Sequence, residues 1–337
     1  MTVRKKLRLG LLGTGTAARR LYLPAFARVG DRVEVVACAS RHPQNAAAYA
    51  RLAGIPTVVG GARALFALPD LDAVFISLPI HLQPRLVLRA LVAGKAVMSE
   101  KPVAHTVAAG RRLVRAAARF APPWLVAENY AFLPEVARLE RWLRAGRLGE
   151  VRLVEARQIA WLDRSNPYFN TAWRARPRHV GGFVGDAGVH VAHVLRRLFG
   201  MPVELRSMTG AFEPTLPPID TAVAVLRLAG GALGTWTSCF TAWDEGPLLR
   251  VLGSRATAEL HRDRAALRPA RGRETVFRSR VNSYEAQLRH FADVVLDGAP
   301  LAFTPAEALA DLALIAAVCG RGALPRPDPK IRERRER

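Results

Sequence analysis

Short apolar runs alternate with amphipathic stretches over the first 130 residues. The segments 7–12, 34–39, 56–59, 72–77, 96–101 and 124–127 are aliphatic and largely without polar alternation, the pattern of strands buried on both faces. Between them, residues 17–28, 45–51, 63–67, 84–93 and 105–119 carry helical spacing, the first interrupted or offset near Pro24. Strictly alternating strands and helices make a mostly parallel, doubly wound sheet the economical arrangement. After residue 130 the pattern changes. A helix over 134–145, closed by Gly146, leads into a long strand, 151–160, and then a loop, 161–177, rich in Asp, Asn, Pro and aromatics. A glycine-rich run, 181–190, opens a helix that continues to about 199. Strands follow at 204–209, 221–228, 232–240, 248–252 and 256–261, two of them joined by the turn Ala229-Gly230-Gly231. Helices over 284–296 and 305–318 close the pattern. The predicted fold is α/β: a doubly wound parallel sheet in a domain over 1–130, then an α+β domain over 131–325 with a large, mainly antiparallel open sheet. The tail 326–337 is dense in charge and is expected to be disordered.

Composition adds limits. A chain of 337 residues is long enough for two cores. No apolar run reaches the roughly 18 residues of a membrane span. The N-terminal residues Met1 to Lys6 carry no apolar region or small-residue cleavage site. Cys38, Cys239 and Cys319 are too far apart for a metal pattern or a disulfide framework, and a cytoplasmic protein without a metal is the expectation. The net charge of +22 is an arginine excess, since lysine occurs only at positions 5, 6, 95, 101 and 330. Clustered arginine would suggest nucleic acid. These arginines are scattered, many on polar helix faces such as Arg111-Arg112 and Arg196-Arg197, so compositional bias is the preferred account and no nucleic-acid partner is expected.

The candidate chemistry begins at Gly13-Thr14-Gly15-Thr16-Ala17-Ala18, which lies between a strand and a helix. In that context Gly13 permits the tight turn, Gly15 lets backbone approach a pyrophosphate, and Ala18 lets helix and strand pack closely, with amides at the helix start free to bind phosphate. Arg19 and Arg20 either reach a phosphate or are solvated. About 20 residues after the glycines, an acidic side chain would bind the ribose 2′-hydroxyl of NAD, but that place holds Ser40, followed by Arg41. This favours NADP; alternatively Arg41 caps the adenine face and both cofactors bind. The run from Ala96 to Ser99 ends in Glu100-Lys101-Pro102, which places Lys101 at the carboxyl end of a strand, where open α/β sheets bind ligands. Lys101 is read as standing over a bound nicotinamide. His81, after another strand end, either faces the cofactor or is satisfied by backbone. Asp186 and His190 are four residues apart, on one face of a helix among glycine and apolar neighbours that leave the pair open to a pocket, a candidate acid/base unit or a surface pair.

These motifs in this order resemble the glucose–fructose oxidoreductase / inositol dehydrogenase (Gfo/Idh/MocA) family, from Leu7 to about Gly322. The likeness rests on Gly13-x-Gly15-x-x-Ala18, Glu100-Lys101-Pro102 and Gly181-Gly182-x-Val184-x-Asp186-x-Gly188-x-His190. Trp173-Arg174, Tyr284-Glu285-x-Gln287 with Phe291, and Gly298-x-Pro300 also fit. The resemblance implies a Rossmann domain and a nicotinamide-dependent oxidoreductase acting on a sugar, polyol or similar alcohol or carbonyl. It implies that Lys101 assists beside nicotinamide and substrate, often ahead of a cis proline peptide, and that Asp186 and His190 orient substrate and exchange the hydroxyl proton. The implied cofactor set is Gly13, Thr14, Gly15, Thr16, Ala17, Ser40, Arg41, Leu78, Pro79, His81, Glu100, Lys101 and Asn129. The implied substrate set is Lys101, Trp173, Arg174, Asp186 and His190. The sequence departs from the family pattern at Val180, Ala131 and His193, and at Ile80 and Gln83, where Asn and His are usual. The last three are expected at the pocket rim, while His193, one turn beyond His190, is also read as a third member of that pair or, by preference, as a packing residue. A catalytically silent cofactor-binding sensor of the same fold is the alternative, and the open sheet face is expected to be covered in a homodimer or homotetramer.

Overall fold

The aliphatic runs of the first half become six parallel strands. They are β1 (Leu7–Leu12), β2 (Val33–Ala39), β3 (Thr57–Val58), β4 (Ala73–Ile76), β5 (Ala96–Glu100) and β6 (Trp124–Ala127), in the spatial order β3-β2-β1-β4-β5-β6. The computed structural model describes residues 6–169, 171–322 and 324. Leu9 and Leu11 of β1, Phe75 and Ile76 of β4, and Val97 and Met98 of β5 have no exposed surface, as expected when helices cover both faces. The order reverses between β1 and β4, so this sheet has the switch point at which doubly wound folds bind ligands.

The helix after β1 is offset where Pro24 predicted. It starts as a π-helical turn, Ala18–Tyr22, and becomes α-helical over Leu23–Arg28. Pro24 cannot donate to the carbonyl four residues back, and the wider turn takes up the missing bond.

The chain divides into two compact units, and their boundary differs from the one read in the sequence. The described residues up to Phe132 cluster with Val281–Leu309, a segment assigned to the second domain above, while the second unit is Leu133–Arg280 with the described residues from Ala310 on. The cause is a set of long-range polar contacts. In the helix Ser283–Asp297, Asp293 accepts from Arg32 at 2.8 Å and Arg289 donates to Asp31 at 2.8 Å. No sequence period records pairings between residues so far apart. The tail 326–337 lies outside the described residues.

The second unit is built on a mixed sheet of eight strands: β7 (Val151–Ile159), β8 (Glu204–Gly210), β9 (Thr221–Arg227), β10 (Leu233–Cys239), β11 (Leu249–Gly253), β12 (Ala256–Leu260), β13 (Ala265–Pro269) and β14 (Thr275–Phe277). Every pair is antiparallel except β7 with β10. The last two strands were not read from the sequence: β13 opens on two alanines and ends in proline, and β14 is three residues long. Along β9, Ala222, Ala224 and Leu226 are buried, while Val223 and Val225 on the other face are exposed. The helix Gly182–Phe199 covers the buried face, tied to β7 by Gln158 Nε2, which donates to the Ala187 carbonyl at 3.0 Å. Among the described residues no helix is long and apolar enough to cross a membrane.

Candidate functional site

In the first unit, the carboxyl ends of five neighbouring strands gather the predicted residues. The amide of Gly13 donates to the Ala39 carbonyl at 2.8 Å, and Leu12 pairs with Ala39, so Ser40 and Arg41 start beside the glycine turn. Gly13 has φ +104°, and a Cβ there would stand 2.2 Å from the Ser77 carbonyl oxygen and 2.9 Å from Leu78 Cδ2. Backbone conformation and close packing both require glycine, and they place Leu78-Pro79 against the turn. Gly15 is different. It lacks a positive φ, and a Cβ built on it would meet no atom within 4 Å. Nothing inside the protein asks for glycine at this place, whereas close approach of a diphosphate would. Thr14 is buried and its hydroxyl oxygen has no partner. Together with the half-buried Thr16 and Ala17 at the helix start, these features fit a dinucleotide phosphate group. Arg19 is engaged by the loop itself, donating to the Thr14 carbonyl at 3.1 Å and lying over the Tyr49 ring.

Glu100 and Lys101 are half-buried at the end of β5, and the Lys101–Pro102 peptide is cis. Asn129 sits at the same edge after β6, but its amide nitrogen is committed to Ser283 Oγ at 2.9 Å. His81 is half-buried in the turn Ile80–Leu82. Ile80 and Gln83, expected at a pocket rim, are 2% and 1% exposed. Gln83 donates to the Leu78 carbonyl at 3.2 Å, so it supports the Leu78-Pro79 segment from within the protein.

Two residues not assigned to the site, Tyr22 and Gln287, are buried and bonded to each other in the first unit. Tyr22 is fully buried, and its hydroxyl accepts from Gln287 Nε2 at 2.8 Å. Burial, then the charge of Glu100, pushes the Tyr22 phenol well above its ordinary range. The sequence offered one signal: a glutamine between Ala286 and Leu288, on the buried side of an amphipathic helix, needs a partner.

In the second unit, the glycines around Asp186 do not leave it open, as the sequence suggested. A Cβ at Gly185 would stand 1.8 Å from the Val180 carbonyl oxygen, and one at Gly188 would stand 2.5 Å from Ile315 Cδ1. The small residues serve close packing of the helix. Asp186 is 5% exposed, and its Oδ2 accepts from Arg174 Nε and lies 2.8 Å from Arg174 Nη2. Arg174 in turn lies 3.9 Å from the centroid of Trp173 and within cation–π reach of Tyr168 and Phe183. The predicted Trp173-Arg174 pair and Asp186 are therefore one cluster, and breaking it at Arg174 would take a guanidinium away from a buried carboxylate. His190 is half-buried one turn further along the same helix. His193 packs, as preferred above, and does not line a rim: it is 3% exposed, with Nδ1 3.2 Å from Asp311, which also accepts from Arg196. It belongs to the core between two helices. Nearby, Trp161 and Trp243 stack in parallel, 6.3 Å between centroids, and Trp243 is 81% exposed.

This glycine turn on a doubly wound sheet, followed by a mixed open sheet with an Asp/His helix, defines a nucleotide-binding oxidoreductase architecture. The family model described as "Oxidoreductase family, NAD-binding Rossmann fold" matches residues 7–121, and that of the "GFO/IDH/MocA C-terminal domain" matches residues 136–259. The chain belongs to the GFO/IDH/MocA oxidoreductase family. Dehydrogenase FPY6 of Fusarium mangiferae is 29% identical over 94% of this chain and 96% of its own. A dTDP-3,4-didehydro-2,6-dideoxy-alpha-D-glucose 3-reductase of Saccharopolyspora spinosa is 35% identical over 68% of this chain and 67% of its own. Among solved structures, an oxidoreductase from Thermotoga maritima superposes with a TM-score of 0.89 at 28% identity, covering 94% of this chain and 96% of that one. Two more distant structures share the fold. Levoglucosan dehydrogenase, in complex with NADH and levoglucosan, has a TM-score of 0.84 at 19% identity, over 94% of this chain and 97% of its own. A 3-ketoreductase from Actinomadura kijaniata, in complex with NADP, has 0.83 at 22%, over 94% of this chain and 98% of its own.

Proposed function

We propose that the protein is an NADP-preferring dehydrogenase or reductase acting on a carbinol or carbonyl carbon of a sugar, polyol or related small molecule. The observation that carries the reading is the carboxyl edge of the first sheet, where a glycine with no internal reason to be glycine shares an edge with Lys101. The nicotinamide cofactor supplies the hydride acceptor or donor. Gly13, Thr14, Gly15, Thr16 and Ala17 would hold its phosphates, and Ser40 and Arg41 its adenosine end. Leu78, Pro79, His81, Glu100 and Asn129 are assigned to the same groove on the family resemblance. His190 takes the hydroxyl proton of an alcohol, or returns it to a forming alkoxide. The Lys101 ammonium stabilises charge that develops on that oxygen. Asp186, fixed by Arg174, holds a neighbouring hydroxyl, and Trp173 offers an apolar ring to the carbon skeleton.

Cofactor choice is testable at one position. Ser40→Asp places a carboxylate where a ribose 2′-hydroxyl would be held and a 2′-phosphate repelled. The ratio of NADPH to NADH affinity is expected to fall at least tenfold, about 1.4 kcal/mol. Titration of nicotinamide fluorescence measures it, and an unaltered ratio overturns the assignment of Ser40-Arg41.

We also infer a homodimer or homotetramer formed through the open sheet. Met208, Val223 and Val225 are 82%, 46% and 58% exposed on its outer face, and Met208 lies directly across from Val223. Contiguous exposed apolar surface of this kind marks an interface. The wild type is expected to show a multiple of the 36.8 kDa chain mass in light scattering. Val225→Lys should shift it to the monomer, and a monomeric wild type refutes the inference.

A further inference from the structure

Arginines that read as scattered along the chain gather on one face of the first unit. The connections from β4 to β5 and from β5 to β6 each run through a helix, Gln83–Val92 and Val107–Ala117. Right-handed crossovers that step the same way along a sheet leave their helices side by side on one face, and these two pack on each other. Their apolar sides are buried, at Val87, Ala90 and Leu91 of the first and Ala109 and Leu113 of the second. The outer sides carry Arg85 and Arg89 on the first helix, and Arg111, Arg112 and Arg115 on the second, with Arg119 just beyond its end, all exposed. Neither helix contains an acid, a lysine or an aromatic residue. Between Asp72 and Glu128 the one acid is Glu100, at the end of β5 rather than on a helix. Lys95 stands apart, buried and donating to the Leu68 and Leu71 carbonyls at 2.8 and 2.9 Å.

Among the described residues none of these arginines has an acidic partner. Elsewhere in the same unit Arg28 is matched by Glu285, Arg32 by Asp293 and Arg289 by Asp31. Like charges four apart on a helix repel, as at Arg85 with Arg89 and Arg111 with Arg115, until an anion from outside answers them. Burial, then the charge of Arg112, lowers His105 below the ordinary imidazole range.

Four residues of helix rise about 6 Å, and packed helices lie about 8–10 Å apart, so the face is two parallel rows of guanidinium groups. A duplex presents two phosphate strands flanking grooves about 6 and 12 Å wide, so each row can meet one strand. Guanidinium forks pair with phosphate oxygens two at a time. We propose that this face binds the phosphate backbone of a nucleic-acid duplex without reading its sequence. The inference does not depend on the oxidoreductase activity proposed above. Other occupants fit less well. A second copy in a two-fold contact would set arginine against arginine. A membrane or a folded protein partner needs apolar side chains to insert or to form a buried centre. Among the described residues of this face the exposed large apolar ones are Leu82 and Val92, at opposite ends of the first helix. Single strands are held by aromatic stacking, and these helices offer no ring. A polar, strongly positive surface is the kind a duplex interface uses.

The test uses the full-length protein and a fluorescein-labelled DNA duplex of arbitrary sequence, with the Kd read by anisotropy between about 50 and about 200 mM salt. The wild type is expected to bind at about 150 mM salt with a Kd of about 1 to 100 μM. The triple variant Arg111→Gln, Arg112→Gln, Arg115→Gln should raise that Kd at least about tenfold and reduce the slope of log Kd against log salt by about three. The control, Arg262→Gln, Arg271→Gln, Arg273→Gln, removes the same charge from exposed positions of the second unit and should change the Kd less than about threefold. Arg85→Gln with Arg89→Gln probes the other row independently and should raise the Kd about fivefold or more. All of these side chains are exposed, so the melting temperature should stay at the wild-type value. A duplex RNA of the same sequence shows which polymer the face prefers, and loss of either in the Arg111 variant supports the proposal. Equal losses in the two triple variants mean that net charge alone binds, and overturn it. No binding by the wild type at about 150 mM salt overturns it as well. Phosphatidylserine vesicles or polyglutamate that displace the labelled duplex at lower charge concentration than unlabelled DNA make the occupant a membrane or an acidic protein, and also overturn it.

Discussion

Lys101→Ala is expected to lower kcat by about 10²- to 10³-fold, with the NADPH Kd changed by less than about threefold. The size follows from what the ammonium does. It meets negative charge that exists on the substrate oxygen during hydride transfer and not before, so removing it raises the barrier without weakening the ground state. The lysine leaves the end of β5 at a half-buried position, so truncation does not open the core. His190→Ala should behave similarly for a different reason, since loss of a positioned proton acceptor is worth about 10²- to 10⁴-fold. Steady-state kinetics with NADP and a sugar panel, set beside fluorescence titration of cofactor, separate the two parameters. Unchanged kcat in either variant would remove that residue from the chemistry. A parallel collapse of NADPH affinity would make Lys101 a cofactor-binding residue instead.

Gly15→Val is expected to raise the NADPH Kd at least about 100-fold while leaving thermal stability nearly unchanged. A side chain at this position meets no protein atom within 4 Å, and its backbone is not in the left-handed region, so the fold should tolerate it. The added atoms would occupy the space a diphosphate needs, and a displaced charge-assisted contact of this kind is worth about 3 kcal/mol or more. Gly13→Ala provides the contrast. Its Cβ would stand 2.2 Å from a backbone oxygen at φ +104°, so it should lower the melting temperature by several degrees through the fold itself. Calorimetry of both variants with and without NADPH tells the cases apart. Normal binding in Gly15→Val would move the phosphates away from this turn.

The chain by itself determined the parts that repeat or sit close together. Six short apolar runs, all but the exposed β3 largely buried and all separated by helices, allow few arrangements other than a doubly wound sheet. The glycine turn was legible because its residues and its context are contiguous. Lys101 could be placed at a strand end for the same reason. The Trp173-Arg174 pair and the Asp186/His190 helix could be named, but not their state. That Asp186 is held by Arg174, that the surrounding glycines serve packing rather than openness, and that His193 belongs to a buried cluster with Asp311 depend on which segments fold together.

Tertiary structure alone returned the helix Ser283–Asp297 to the first unit and so brought Gln287 to Tyr22. It also added β13 and β14, whose alanines and short length carry no strand signal until β12 offers an edge to pair with. The division has one physical cause. Hydrophobic period and turn chemistry act over a few residues and leave their mark on the sequence. A buried hydrogen bond or ion pair between residues 260 positions apart needs only that each side chain be polar, and nothing in the sequence says which polar residue will answer which.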